Sequence, residues 1–180
     1  RSLEENKKEI KLVPVDLIAV LKETQSIFQE KLQNKNLTLN LGNIEEMSEL
    51  WITSEKVTVL NSVINNIISN SIKFSFEDSS IDLHVEDFNN MIILSIRDHG
   101  VGMGQELINK VFDKNSATTR LGTDGEKGTG FGMPLVKAYM EKYNGHIRIL
   151  SSEKTDKSTK HGTKTILTFL KAKSPAKSAA

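Results

Sequence analysis

The sequence predicts an α/β fold: a two-layer sandwich in which a mixed, mostly antiparallel sheet carries helices on one face. Three observations predict it. Segments 15–33 and 54–75 repeat apolar residues at helical spacing, shorter segments alternate as strands do, and clusters of Gly, Asn and Asp separate them.

One hundred and eighty residues suit a single domain, and 37% hydrophobic residues suffice for one core. No apolar run approaches membrane-spanning length, so no direct membrane contact is expected. No signal peptide is visible, and a chain that opens on Arg1 rather than Met is expected to be a piece of a longer protein. The absence of cysteine excludes disulfides and thiolate metal sites and suits a cytoplasmic protein. Basic and acidic residues nearly cancel, 24 against 23, which argues against a nucleic-acid partner held through backbone phosphates.

Residues 1–14 are charged and end at Pro14, reading as a tether or the tail of a preceding helix, with 1–11 set apart as linker. From Val15 to Gln33, Leu17, Val20, Leu21, Ile27, Phe28 and Leu32 recur at helical spacing. Leu37–Leu41 alternates as a strand and Trp51-Ile52 suggests another. Ser54 is placed to cap a helix running to about Ser75, its buried side formed by Val57, Leu60, Ile64, Ile67, Ile68 and Ser71. Strands follow at Ile81–Glu86 and Met91–Arg97, then a short helix at Gln105–Phe112 and a polar, glycine-rich loop from Asp113 to Thr129. A helix from Phe131 ends at Asn144-Gly145, a good C-terminal stop. Strands His146–Ser151 and Lys164–Leu170 flank another polar loop, and the tail 172–180 reads as disordered. The domain proper is therefore 12–171.

Three patterns carry chemistry. At about 100° per residue, Asn66, Asn70 and Lys73 form one stripe nearly opposite the isoleucine face of their helix. Two carboxamides and an ammonium there offer a metal-ligand oxygen and counter-charge for an anion. Asn is a poor helix former, and Asn61, Asn65, Asn66 and Asn70 all occupy this helix, which favours function over a merely solvated face.

In the second pattern, Asp98-His-Gly100-Val-Gly102 ends a strand on a glycine turn. A dinucleotide-binding turn is one reading, but its glycine spacing and its distant acid are wrong. The other makes Asp98 an acceptor for an exocyclic amine such as that of adenine.

The third pattern lies in TDGEKGTGFGM, where Gly125, Gly128, Gly130 and Gly132 crowd into Thr123–Met133 and lead directly into a helix. Free N–H groups and the positive end of a helix dipole make an anion site there, with Arg120 and Lys127 adding mobile charge. Triphosphate is the natural candidate, although no Walker motif is present.

In this order and spacing, the pieces resemble the ATP-binding domain of sensor histidine kinases, in the GHKL ATPase superfamily with its Bergerat-type fold. Asn66–Ser75 is similar to the N box, Asp98–Met103 to the first glycine box, and Val111-Phe112 to the start of the F box. Gly128–Met133 is similar to the second glycine box and Gly162-Thr163 to the third. The resemblance implies that Asn70 ligates Mg²⁺ and that Asn66 and Lys73, the catalytic pair, lie along the phosphates of ATP. It implies that Asp98 takes the adenine amino group, with Gly100, Gly102 and Thr163 beside the base. Residues 113–129 would be a lid, and Gly128, Thr129, Gly130, Phe131, Gly132 and Met133 at its end would wrap the triphosphate. Arg120 and Lys127 are the candidates to meet it from the side. With no apolar stripe, the lid is expected to have little packing to hold it when empty. Asn115 stands where the family's second F-box aromatic would be.

None of the four histidines, His84, His99, His146 and His161, sits in a phosphoacceptor motif. The implied partners are therefore a phosphoacceptor and dimerisation domain outside this segment and the receiver domain of a response regulator. The superfamily's hydrolases carry a glutamate one turn before the Mg²⁺ asparagine, and here that position is Asn66. Hydrolysis is the competing activity, and a purely regulatory nucleotide-binding module is the other alternative.

Overall fold

The computed structural model describes residues 10–114, 120–155 and 160–175. Most of the expected linker and most of the expected tail therefore lie outside the described residues, as does Asn115. Strand β1 (Val13–Asp16) pairs antiparallel with β3 (Trp51–Ser54), Val13 opposite Ser54 and Asp16 opposite Trp51. The main sheet has five strands in the order β2 (Thr38–Asn40), β4 (Ser80–Phe88), β5 (Met91–Asp98), β7 (Gly162–Leu170) and β6 (His146–Ser152). Only the β2–β4 pair is parallel.

Helix α1 (Leu17–Asn34), the long helix at 56–74 and α5 (Gly132–Lys142) pack together over this sheet. The strand periodicity decides which face they cover. Ile81, Leu83 and Val85 of β4, Ile92, Leu94 and Ile96 of β5, and Leu167 and Phe169 of β7 are all buried. They share one core with Ile64, Ile67 and Ile68 of the long helix and Val136 and Met140 of α5. At the far end of α5, the Tyr143 hydroxyl meets Thr58 Oγ1 at 2.6 Å, and burial pushes its phenol up to about 12.

The structure differs from the sequence reading at several places, each with a physical cause. Pro14 lies inside β1 rather than ending a tether, and α1 begins at Leu17 because Asp16 caps it, its Oδ1 accepting from Ile18 N–H at 3.0 Å. Ile27, expected inside, is exposed. Glu55, not Ser54, caps the long helix, accepting from Val57 and Thr58 N–H at 3.1 and 2.8 Å. Val57 is consequently exposed, while Ser54 is buried on β3. The long helix is also not uniform. A short α2 (Lys56–Thr58) passes through a π-helical stretch, Val59–Ile64, before α3 (Asn65–Phe74). A π stretch shifts the helical phase, which a constant rotation per residue does not anticipate. Helix α4 (Gln105–Lys110) stops two residues before the expected end. The Asn144-Gly145 stop is as expected: Asn144 is left-handed at φ 55 and Gly145 N–H reaches Met140 O at 2.8 Å.

Asp16 also accepts from Leu50 N–H at 3.0 Å, so one carboxylate fixes both the start of α1 and the entry to β3. Asp16→Ala should lower stability in urea unfolding by about 1–3 kcal/mol. Asp16→Asn, which keeps an acceptor oxygen, should lose less than half of that.

Candidate functional site

Alternation along β5 puts Asp98 in phase with Ile92, Leu94 and Ile96, so the strand delivers a carboxylate to the core side at its very end. Asp98 is 6% exposed. Its Oδ1 accepts from Gly100 N–H and Thr163 N–H, both at 3.0 Å, and its carboxyl also meets the Ser71 side chain. Burial pushes this carboxyl above its ordinary value, outweighing the two N–H donors, the His99 charge and Ser71, which pull it down.

The glycines around it serve close backbone packing. A Cβ on Gly100 would lie 2.0 Å from Phe74 O, and one on Gly102, at φ +65, would lie 1.8 Å from Ser152 O. The first glycine turn is thus pressed between the C-terminal end of α3 and the end of β6. Ser151, which the sequence reading missed, ties the pieces together. Its hydroxyl accepts from Met103 N–H at 2.8 Å, donates to Gly162 O at 3.0 Å and meets Thr163 Oγ1 at 2.8 Å.

Beside Asp98 opens a cavity of about 280 Å³ between α3, the first glycine turn, the lid and the start of α5. Asn66, Asn70, Lys73, Asp98, Gly102, Arg120, Lys127, Gly128, Thr129, Gly130, Gly132, Met133 and Thr163 line it. The structure therefore gathers all but two of the residues singled out from sequence. Gly100 and Phe131 lie outside the lining: Gly100 packs on Phe74, and Phe131 is exposed. Ile67, Phe74, Met103, Leu107, Val111 and Ile149 supply an apolar wall that the motif reading did not assemble. Ile67 belongs both to this wall and to the core. Strand phase could have suggested Ile149, because it stands opposite Thr165, another lining residue.

The cavity is polar in an ordered way. Asn66 Nδ2 donates to Ser62 O at 2.8 Å, and its Oδ1 lies 3.0 Å from where a Cβ on Gly132 would be. The Asn70 side chain makes no hydrogen bond among the described residues. Lys73 Nζ donates to Arg120 O at 3.0 Å, and Arg120 Nη1 donates to Gly102 O at 2.9 Å. Both cations also lie over the Phe74 ring, 4.9 and 5.1 Å from its centroid. Helix α5 begins at Gly132 with no side chain capping it, so its first N–H groups have no side-chain acceptor of their own. Asp98 is the only carboxylate among the lining residues. A cavity that combines one buried carboxylate, an apolar wall, three cations and the start of a helix suits a flat heterocycle bearing an anionic chain.

The segment expected to be a lid has more anchorage than its lack of an apolar stripe implied: Thr123 N–H donates to Lys73 O at 3.1 Å and Thr123 Oγ1 to Ser75 O at 2.8 Å, tying this turn to the end of α3. The histidines have local partners: His99 Nε2 lies 2.7 Å from Asp82 Oδ2, and His161 Nδ1 lies 2.7 Å from Gly100 O. No helix among the described residues is long and apolar enough to cross a membrane.

Over residues 55–173 the sequence matches the family of histidine kinase-, DNA gyrase B- and HSP90-like ATPases, and the chain belongs to this family. The resemblance to the ATP-binding domains of sensor histidine kinases is borne out. Histidine kinase P4 of Formosa agariphila is 26% identical over 157 residues, covering 86% of this chain and 11% of that protein. The chain spans less than a third of the curated relatives it matches. Among solved structures, the mycobacterial sensor histidine kinase MprB superposes with a TM-score of 0.71 at 16% identity, over 89% of this chain and 98% of that one. Histidine kinase ThkA, in complex with the response regulator protein TrrA, gives a TM-score of 0.65 at 19% identity, over 91% of this chain and 42% of that one. The two structures share the fold.

The raised Asp98 pKa makes a stability prediction. A carboxyl raised in the folded state stabilises the fold while protonated, and that contribution is lost as pH rises through the folded value. Asp98→Asn removes this titration, so stability should decline less between acid and neutral pH than in the unmodified chain. Urea midpoints across that range check it, and parallel pH profiles would count against the burial argument.

Proposed function

We propose that this chain binds Mg-ATP in the cavity and donates its γ-phosphoryl group to a histidine on a phosphoacceptor domain outside this segment, in two-component signalling. The observation that carries this reading is the identity of the groups beside the phosphate end. Asn66 stands one turn before Asn70, and it cannot take a proton from water. The only lining carboxylate, Asp98, lies among the apolar groups with its Oδ1 already bonded to two backbone N–H groups. Among the described residues that line the cavity, none is therefore placed as a general base for hydrolysis.

In this reading Asp98 accepts the adenine amine, while Ile67, Met103, Leu107 and Ile149 cover the base. Lys73, Lys127 and the N–H groups at the start of α5 hold the phosphates, and Arg120 closes the side at Gly102 and Phe74. Asn70 fits a hard cation, because its carboxamide oxygen has no competing partner and Mg²⁺ takes few protein ligands beside phosphate oxygens. Bound there, Mg²⁺ would neutralise charge on the β- and γ-phosphates. Positioning and charge stabilisation are what phosphoryl transfer needs from the donor side. The acceptor histidine and the response regulator receiver come from other domains. ATP as donor is consistent with a cytoplasmic placement, whether or not the full protein is membrane-anchored.

Incubated with labelled ATP, the chain alone should turn over very slowly and should not label itself. A phosphoacceptor domain added in trans should acquire an acid-labile, base-stable phosphoryl group. Asn70→Ala should abolish the gain that Mg²⁺ brings to both binding and transfer. Asn66→Glu should raise ATP hydrolysis by introducing a base one turn from Asn70. Vigorous hydrolysis by the unmodified chain would establish the hydrolase instead, and Mg-ATP binding with no transfer to a phosphoacceptor domain would establish the regulatory module.

A further inference from the structure

Two charged side chains are buried among the described residues, and only one of them belongs to the cavity. The other is Lys35, 5% exposed, in the residue that closes α1. Its ammonium has three oxygens around it: Lys73 O at 3.3 Å, Glu126 Oε1 at 3.2 Å and Asp124 Oδ2 at 3.2 Å. Three acceptors match the three hydrogens of an ammonium. Two come from the lid and one from the C-terminal end of α3.

The lid is built to meet it. Residues 122–126 form a closed turn, with Gly122 N–H to Glu126 O at 2.9 Å, Gly125 N–H to Gly122 O at 3.1 Å and Asp124 N–H to Glu126 Oε2 at 2.9 Å. Burial pulls the Glu126 carboxyl upward, but the N–H groups of Glu126 and Asp124 together with Lys35 hold it below its ordinary value. Lys73 O, which accepts from Lys35, also accepts from Thr123 N–H, so ammonium and turn converge on one carbonyl. Immediately outside the turn stand Arg120 and Lys127, both on the cavity wall.

We propose that Lys35 is a latch for the lid: its ammonium pins the turn 122–126 to the end of α3 and thereby sets where Arg120 and Lys127 stand over the cavity. Lys35 is not among the lining residues, so it acts through Asp124 and Glu126 as a positioning residue. The turn 122–126 consequently gives the lid one fixed point. With its Lys35 end buried and both carboxylates part-exposed, this ion pair adds little to stability over an apolar contact, and its role is to fix where the turn sits. The nucleotide part of this inference rests on the cavity being the ATP site.

Hydrogen exchange in the nucleotide-free protein tests the latch directly. In Lys35→Met, the amides of Gly122, Thr123, Asp124 and Gly125 should exchange faster while those of β4, β5 and β7 keep their rates. The pair Asp124→Asn with Glu126→Gln breaks the same contact from the exposed side and should give the same local pattern. If either change leaves the turn docked only about a tenth of the time, apparent Mg-ATP affinity falls about tenfold. Combining all three substitutions should weaken it no further than Lys35→Met does, because both act through one contact. Unchanged exchange at 122–125, exchange accelerated equally throughout the chain, or additive losses of affinity would each overturn the latch. Absence of Mg-ATP binding by the unmodified chain would instead overturn the reading of the cavity.

Discussion

The structure turns on one buried carboxylate. Asp98 ends the central β5, and its Oδ1 draws in the N–H of Gly100 from the following turn and that of Thr163 from the start of β7. Burying an ion is costly unless it is hydrogen-bonded, and here the bonds that offset the cost also fix three backbone segments in place. The close approach leaves no space for side chains: a Cβ on Gly162 would lie 2.2 Å from Asp98 O, as one on Gly100 would collide with Phe74 O. Sheet, glycine turn and α3 are thus locked by one constraint, and the cavity is what that lock leaves open.

Charge is distributed around the lock in two layers. On the cavity side, Lys73, Arg120 and Lys127 bring positive charge into the same lining as Asp98. Outside that lining, Lys35 pairs with Asp124 and Glu126 of the lid. Lys73 sits at the junction, its ammonium held by Arg120 O while its own carbonyl receives Lys35 and Thr123. An anion entering the cavity would compete with Arg120 O for Lys73, which gives ligand binding a direct route to the lid.

Much of this was legible in the sequence because the relevant signals are local. Alternation in 91–98 identifies β5, and the 66/70/73 stripe identifies one wall of the cavity, since both depend on the period of a single element. Motif order then brings thirteen residues to one cavity. What was not legible depends on distant partners. The π-helical stretch at Val59–Ile64 leaves no mark in apolar spacing, because its own buried residues, Val59, Leu60, Val63 and Ile64, are spaced as an α-helix would also space them. Glu55 displaced Ser54 as the cap because Ser54 is taken up by β3 pairing with β1. The lid looked unpacked because its contacts are polar and run to Lys73, Ser75 and Lys35, far away in the chain, where an apolar stripe would never register them.

The central claim is that Asp98 reads the amine of a purine, and ligand choice by the unmodified chain tests it most directly. Titration calorimetry with Mg-ATP and Mg-GTP compares a ring that presents an amino donor with one that presents a carbonyl acceptor at the same position. ATP should bind more tightly by about 1–3 kcal/mol, the cost of leaving a buried polar group mispaired. Equal affinity for the two nucleotides would contradict the account.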